Sequence, residues 1–538
     1  MIVVKKKTEI LWWLCLLILV GLVSVTACKV FYWKNFGTDG VLSRILEEVA
    51  NGRNPYSRAT LDSQIPQPYL CSGFYLNVFL AVPLLKLGAT CFEALGIISV
   101  LSLALNLLLF YRLIRRVTQN SLCSILGTVL FCFCMQRETP IILRPDPQAE
   151  TLILLILIFG SKALDEKSTR RRWFELILCS LFFVLIFWLK IHYCVVGIAL
   201  FLAVLLKNRK TAFLYFLSCL VSFALISAIL YLTVPVWVET WISFLSSAST
   251  GENGYINTQL ALVFTSLMKM IIVSCLFMPM ILLALHNIIR GGVKFVKRDS
   301  TEQLLILNIL LNFLVLLPMG ENLGTWLSYH FFLLIPTVII IGMKEFLRIQ
   351  DMRQVSNERL FSNFLLVAVL SIACVQSALS CFTINGARKF RRTHMEAYQI
   401  IDKYASDDML LAPEVSDYAV EKGIYNFNDG DRNYVLYLNP YDGNSLQKKL
   451  TLSSRYYDQS IQYGNVIADR VSNKEYSIIV LEKGINPLEG FGSEEAFSDS
   501  LEKNYKLIET TKIYLDNTQE DVELTYFVPR GEENGDEL

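Results

Sequence analysis

Apolar positions along this chain come in long unbroken blocks rather than in the short periods of an amphipathic globule. About eleven such runs stand near 10–33, 92–111, 121–136, 148–163, 173–189, 191–206, 211–234, 259–287, 302–318, 329–343 and 361–383, separated by short polar loops. A hydrocarbon core about 30 Å thick takes roughly 20 apolar residues of helix, so runs of this kind, extended by their flanking residues, read as membrane spans. Two segments depart from this rhythm. Residues 41–51 place Val41, Leu42, Ile45, Leu46 and Val49 on one helical face with Arg44, Glu47 and Glu48 opposite, and Gly52 stands where a C-cap belongs. That pattern predicts a helix lying on the membrane surface. Residues 74–88 are apolar but short and contain Pro83, which predicts a second interfacial or re-entrant helix. From about Asn385 the blocks end: acidic residues outnumber Lys and Arg by 28 to 17 over 385–538, and helix-like MEAYQIIDKYA, VSDYAVEKG and EEAFSDSLEKNY alternate with strand-like MLLAP, YSIIVLEKG and VELTYFVPR. The expected fold is a polytopic α-helical membrane protein of about eleven transmembrane helices with a C-terminal soluble α/β domain. Its parts are a membrane domain over 1–384, whose first outer loop spans 34–91, and a soluble domain over 385–538.

Charge fixes the expected orientation. Lys5, Lys6 and Lys7, then Arg112, Arg115 and Arg116, then Arg170, Arg171 and Arg172, then Lys207, Arg209 and Lys210, then Arg290, Lys294, Lys297 and Arg298, then Lys344, Arg348, Arg353 and Arg359 occupy alternate loops. Basic loops face the cytoplasm, so an odd number of spans places the C-terminal domain outside it. The first apolar run has a basic start, but the Trp, Tyr and Lys that follow form no small-residue cleavage site, so it reads as a retained first helix.

Composition agrees. Of 538 residues 54% are hydrophobic and 18% charged, and the mean hydropathy is +0.45, too apolar for a soluble protein of this size. A net charge of +1 gives no bulk attraction to nucleic acid, which is not an expected partner. Most of the 13 cysteines lie in or beside apolar runs without the spacing of a zinc site, and read as small hydrophobes. Cys71 and Cys91 bracket one outer segment that a disulfide could join. The chain has no Asn-x-Ser/Thr acceptor site, which favours a bacterial inner membrane over a eukaryotic lumen.

Candidate chemistry lies in the outer loops, where an ionisable group beside the hydrocarbon core is costly and usually employed. Asp39, just after the first run, suits an N-cap of the surface helix and equally a general base. Arg144-Pro145-Asp146-Pro147 precedes the fourth run. A capping aspartate with proline at the first helical position accounts for Asp146 and Pro147, whereas Arg144 suits contact with a phosphate or carboxylate. Lys190 and His192 share a tight outer turn between the fifth and sixth runs, where a lysine snorkels or neutralises a lipid-linked phosphate. His330, ahead of the tenth run, is a further donor for such an anion or a belt residue.

In order, these features are Asp39, a surface helix ending in Gly52-x-Asn54-Pro55-Tyr56, then Pro66-x-Pro68-Tyr69, then Arg144-Pro145-Asp146 before a span. The arrangement resembles the GT-C superfamily of membrane glycosyltransferases, which includes protein mannosyltransferases and aminoarabinose transferases, over about the first 350 residues plus an outer domain. The resemblance implies a polyprenyl-phosphate sugar lipid as donor and a glycan, lipid or protein as acceptor, with membrane lipids around the spans. It implies Asp39 as the base on the acceptor hydroxyl, and Arg144, Lys190, His192 and His330 on the donor phosphate. The outer loop has no Asp-x-Asp or Glu-x-Asp pair, so no metal cofactor is expected, although Asp146 could join Asp39 on Mg²⁺ or Mn²⁺. The alternative is a transporter or flippase of lipid-linked sugars, which predicts inverted repeats and charges near the bilayer midplane. No such repeat is visible, and the polar groups gather at one face.

Overall fold

The computed structural model describes residues 2–32, 75–137, 146–235, 277–292, 298–316, 334–351, 357–406, 408–416, 427–429, 464–488, 493–515 and 520–531, with a few isolated positions between them. Contacts divide the chain into two units. The first comprises Met1–Val30, Ile97–Ile229 and Asn253–Cys381; the second comprises Phe31–Gly96, Leu230–Glu252 and Phe382–Leu538. The second unit thus takes in outer-loop sequence as well as the C-terminal segment.

Each of the eleven apolar runs contains a helix: α1 (Ile2–Tyr32), α3 (Cys91–Thr118), α4 (Ser121–Arg137), α5 (Asp146–Asp165), α6 (Thr169–Leu189), α7 (Val195–Lys207), α8 (Arg209–Thr233), α9 (Met278–Gly291), α10 (Ser300–Leu316), α11 (Ile335–Gln350) and α12 (Asn357–Tyr404). Six helices among the described residues are long and apolar enough to cross a membrane, and four shorter ones are apolar. Backbone polar groups have no water partners in a bilayer, so helices that satisfy them internally are the structure such runs adopt. Outside this set, α2 (Tyr75–Lys86) carries Pro83 inside it, as the pattern of 74–88 predicts. Of the surface helix over 41–51, Leu46, Val49 and Ala50 are described and helical. Gly52 ends it at φ +77°, its N–H donating to Val49 O, a conformation that glycine adopts without strain.

One buried core holds the first unit together. α5 lies at its centre: 72% of its apolar window is buried, against 17% for α1 and α8, whose leucines and phenylalanines face outward. α5 packs on α6, α7 and α10, while α9 packs on α11 and α11 on α4. Apolar burial separates helices from lipid no better than from each other, so close backbone approach and hydroxyl pairs specify the contacts. A β-carbon at Gly342 of α11 would stand 2.9 Å from the Met280 carbonyl oxygen of α9. Ser180 of α6 meets Ser218 and Ser222 of α8 at 2.9 and 3.1 Å.

In the second unit β1 (Met409–Leu411), β2 (Phe427–Asp429), β3 (Ile478–Glu482), β4 (Tyr505–Leu515) and β5 (Glu520–Pro529) form one sheet in the order β2-β1-β3-β5-β4. β1 is parallel to β2 and β3, whereas β5 is antiparallel to β3 and β4. Helix α13 (464–472) and α14 (Glu494–Asn504) supply Ile467, Val471 and Phe497 to a core with Leu410, Tyr476, Ile479 and Tyr505. The segment MEAYQIIDKYA is helical as its pattern predicts, but as the end of α12 rather than as a separate element. Within this unit the helix is tied to the hairpin by Tyr514 N donating to Thr393 Oγ1 at 3.0 Å and by a 2.6 Å pair between Lys389 and Asp521. His394, at the edge of the soluble sequence, is a core residue: it stacks on Phe390 at 3.8 Å between ring centroids, and burial pushes its pKa down to about 4.

Candidate active site

The N-terminus of α5 gathers two of the residues singled out in the sequence. Asp146 opens the helix with Pro147 behind it, where the fixed φ of proline suits the first turn. α6 stops at Leu189, Lys190 takes an extended backbone (φ −162°, ψ 101°), and a 3-10 turn over Ile191–Cys194 leads into α7. Side chains three residues apart eclipse in such a turn, so Lys190 and Tyr193 present their heads to the same place. Both reach Asp146 Oδ1: Lys190 Nζ at 2.5 Å and Tyr193 OH at 2.5 Å. The ammonium also stands 5.3 Å from the Tyr193 ring centroid. The Asp146 side chain is fully buried and that of Lys190 is 13% exposed, so the ammonium forms the rim of the cluster.

The carboxylate is held in place by its helix. Asn106 of α3 donates to the Pro147 carbonyl at 2.8 Å, and Thr151 Oγ1 donates to Asn106 Oδ1 at 2.6 Å and lies 3.0 Å from Pro147 O. The first turn of α5, where backbone carbonyls and N–H groups are least constrained, is thereby anchored to α3. One turn further along, and hence on the face that carries Asp146, stands Glu150. It is 1% exposed, and neither of its carboxyl oxygens has a hydrogen-bond partner among the described residues. A buried acid in a membrane span is costly and marks a site of function by default.

Asp39, Arg144 and His330 lie outside the described residues. His192 lies on the 3-10 turn between Lys190 and Tyr193, its backbone alone described. Sequence reasoning missed Tyr193, Asn106, Thr151 and Glu150. Glu150 carried a signal, as an acid inside the apolar run that follows Asp146. Among the described residues no group of three or more His, Cys, Asp or Glu side chains is placed to hold a metal ion. Asp146 Oδ1 is engaged by an ammonium and a phenol, the surroundings of a charge-paired carboxylate.

The far end of α5, about 30 Å away by its 20 residues, is of another kind. Asp165 pairs with Arg116 of α3 at 2.6 Å, and Lys207 of α7 bonds the Leu164 carbonyl. At the C-terminal ends of α9 and α11, Glu345 receives His286 (2.8 Å), Asn287 (3.0 Å), Arg290 (3.4 Å) and Arg348 (2.7 Å). Glu302 of α10 receives Lys344 at 3.0 Å and Arg298, which also bonds Asn287.

The bundle of apolar helices in the first unit and the small mixed sheet in the second match the expected polytopic helical fold with a C-terminal α/β domain. Two solved structures share it: ArnT from Cupriavidus metallidurans in the apo state, and the same protein bound to undecaprenyl phosphate. The TM-scores are 0.55 and 0.57, with 10% identity over 95% of this chain and 97% of that one. At that identity the likeness is one of fold. No family model and no curated protein sequence matches the chain.

Proposed function

We propose that the protein is a glycosyltransferase that moves a sugar from a polyprenyl-phosphate lipid to a glycan, lipid or protein acceptor at the outer face of a bacterial inner membrane. The observation that carries this reading is the Asp146–Lys190–Tyr193 cluster at one end of a bundle whose fold is that of ArnT, a protein with a structure bound to undecaprenyl phosphate. The basic groups Arg116, Lys207, Arg298 and Arg348 gather at the opposite end, which supports the orientation with the N-terminus in the cytoplasm and the cluster outside.

In this reading the acceptor hydroxyl attacks the anomeric carbon, forming the new glycosidic bond as the bond from that carbon to the phosphate oxygen breaks. The hydroxyl proton passes to Asp39, and the electron pair leaves with the phosphate. Lys190, kept at the rim by Asp146, meets the charge that grows on the leaving phosphate, together with Arg144, His192 and His330. Preorganisation is the role of Asp146 and Tyr193, since a lysine stem has several rotors and two partners at 2.5 Å fix its head. The step takes no metal, and chelation is expected to leave turnover unchanged.

The test is mass spectrometry of lipid-linked sugars and surface glycans in cells with the wild-type protein, without it, or with Asp39→Asn at matched membrane levels. Accumulation of a polyprenyl-phosphate sugar and loss of one glycan residue in both the deletion and the variant is the expected result. A deletion that strands its lipid-linked sugar in the inner leaflet, with Asp39→Asn behaving as wild type, would establish a transporter instead.

A further inference from the structure

The network at the cytoplasmic end of the first unit does more than join helices. Its two carboxylates are enclosed: the Glu345 side chain is fully buried, and that of Glu302 is 10% exposed. Three of their cationic partners are not, whereas Arg298 is 9% exposed. Arg290 is 46% exposed, and Lys344 and Arg348 are each 32% exposed. Arg290, Lys344 and Arg348 carry three positive charges on the outward side of the two enclosed carboxylates, with His286 beside them and Glu358 within electrostatic reach of Arg348. Holding Glu345 requires fewer groups than are present, because Arg348 alone reaches it through Nε at 2.9 Å and Nη2 at 2.7 Å. Arg290, at 3.4 Å, is the most loosely held of its partners.

The apolar surface beside this face is continuous with it. On α9, Leu282, Leu285 and Ile289 form one exposed stripe, and Ile289 is 75% exposed. His286 and Arg290 follow them by one residue each, on the adjoining stripe at the helix end. Acyl chains lie along the first stripe where a phosphate head lies on the second. Basic pockets between spans on the cytoplasmic side bind anionic head groups by this arrangement, and an Arg fork suits phosphate oxygens.

We propose that the ends of α9 and α11 form a binding site for the phosphate head of an anionic glycerophospholipid, centred on Arg290, Lys344 and Arg348 and separate from the cluster at Asp146. The lipid rather than a free anion is the occupant because the exposed apolar stripe leads directly into the cationic face.

The full-length protein, reconstituted in phosphatidylcholine nanodiscs doped with phosphatidylglycerol, would be released into mild detergent and its retained lipids counted by native mass spectrometry. Wild type is expected to retain phosphatidylglycerol in preference to phosphatidylcholine. Arg290→Gln, which leaves Glu345 its three shorter partners, is expected to lower that preference about fivefold, the weight of one basic residue at a membrane surface. Arg290→Lys restores it, and Arg209→Gln, a basic change outside the network, leaves it unaltered. An equal loss with Arg209→Gln would reduce the effect to general surface charge and overturn the site. Equal retention in Arg290→Gln and wild type, or displacement of the lipid by inorganic phosphate, would also overturn it.

Discussion

Asp146 and Glu345 are both wholly buried carboxylates of the helical unit, and they are furnished differently. Glu345 sits among four side chains from two helices, three of them cationic or able to become so. Asp146 receives the Lys190 ammonium at the rim and the Tyr193 phenol, with Glu150 a turn away and unmatched among the described residues. A carboxylate ringed by several cations locks α9 to α11 and leaves surplus positive charge facing outward. One that meets a lysine at the rim fixes the position of that lysine. The difference teaches that burial and ion pairing alone do not mark a working site.

Breaking the locked end has the largest expected effect. Glu345→Gln removes the carboxylate that Arg290, Arg348 and His286 share and lowers the stability of the helical unit by about 3–5 kcal/mol, read as the denaturation midpoint in detergent. Sugar transfer per folded molecule stays unchanged. Next in size is a pH effect in the second unit, where the imidazole of His394 is buried against Phe390. The folded pKa of His394 is about 4 against 6.5 ordinarily, so between these values the unfolded chain binds the proton more readily. Stability contributed by the neutral ring is fully present above pH 6.5 and falls as pH drops toward 4, by roughly 3 kcal/mol in all. Hydrogen exchange of the 390–404 segment at the two pH values measures it, and His394→Gln abolishes the difference. At the other end of the bundle Asp146→Asn keeps an acceptor for Tyr193 but frees Lys190. Turnover with a polyprenyl-phosphate donor should fall about a hundredfold, the size of losing one fixed electrostatic contact. Glu150→Leu inverts the sign: it removes a buried group with unmet hydrogen bonds, raising the denaturation midpoint by the equivalent of about 1–3 kcal/mol while transfer declines. A stability loss in that variant would place Glu150 with Glu345 as a structural acid. The smallest change is Asp165→Asn, which breaks the exposed pair with Arg116 and shifts the same midpoint by less than about 1 kcal/mol.

The helical part was legible because hydrocarbon leaves the backbone one solution. Asp146 and Lys190 were each visible as an ionisable residue beside a span. Their meeting was not, since 44 residues and two helices separate them and only packing closes the gap. Tyr193 was hidden among interfacial aromatics, which its sequence position resembles. In the second unit β1, β3, β5 and α14 followed their patterns. β4 did not, because α14 ends at Asn504 and the strand starts at Tyr505 with no turn residue between them, and Lys506, Glu509 and Lys512 give it the composition of a polar helix. α12 runs through the change in composition near Asn385 because a shift from apolar to charged residues does not itself break a helix.

The sheet order also sets a schedule. β3 lies between β1 and β5, and its antiparallel neighbour belongs to the β4–β5 hairpin, which closes over residues 516–519. That hairpin is the most local pairing in the sheet, whereas β1 and β3 must close the chain from Leu411 to Ile478. On a ribosome, β1, β2 and β3 therefore emerge before the fastest-forming piece exists. The sheet can close only once that piece has emerged, after the whole helical unit has been synthesised.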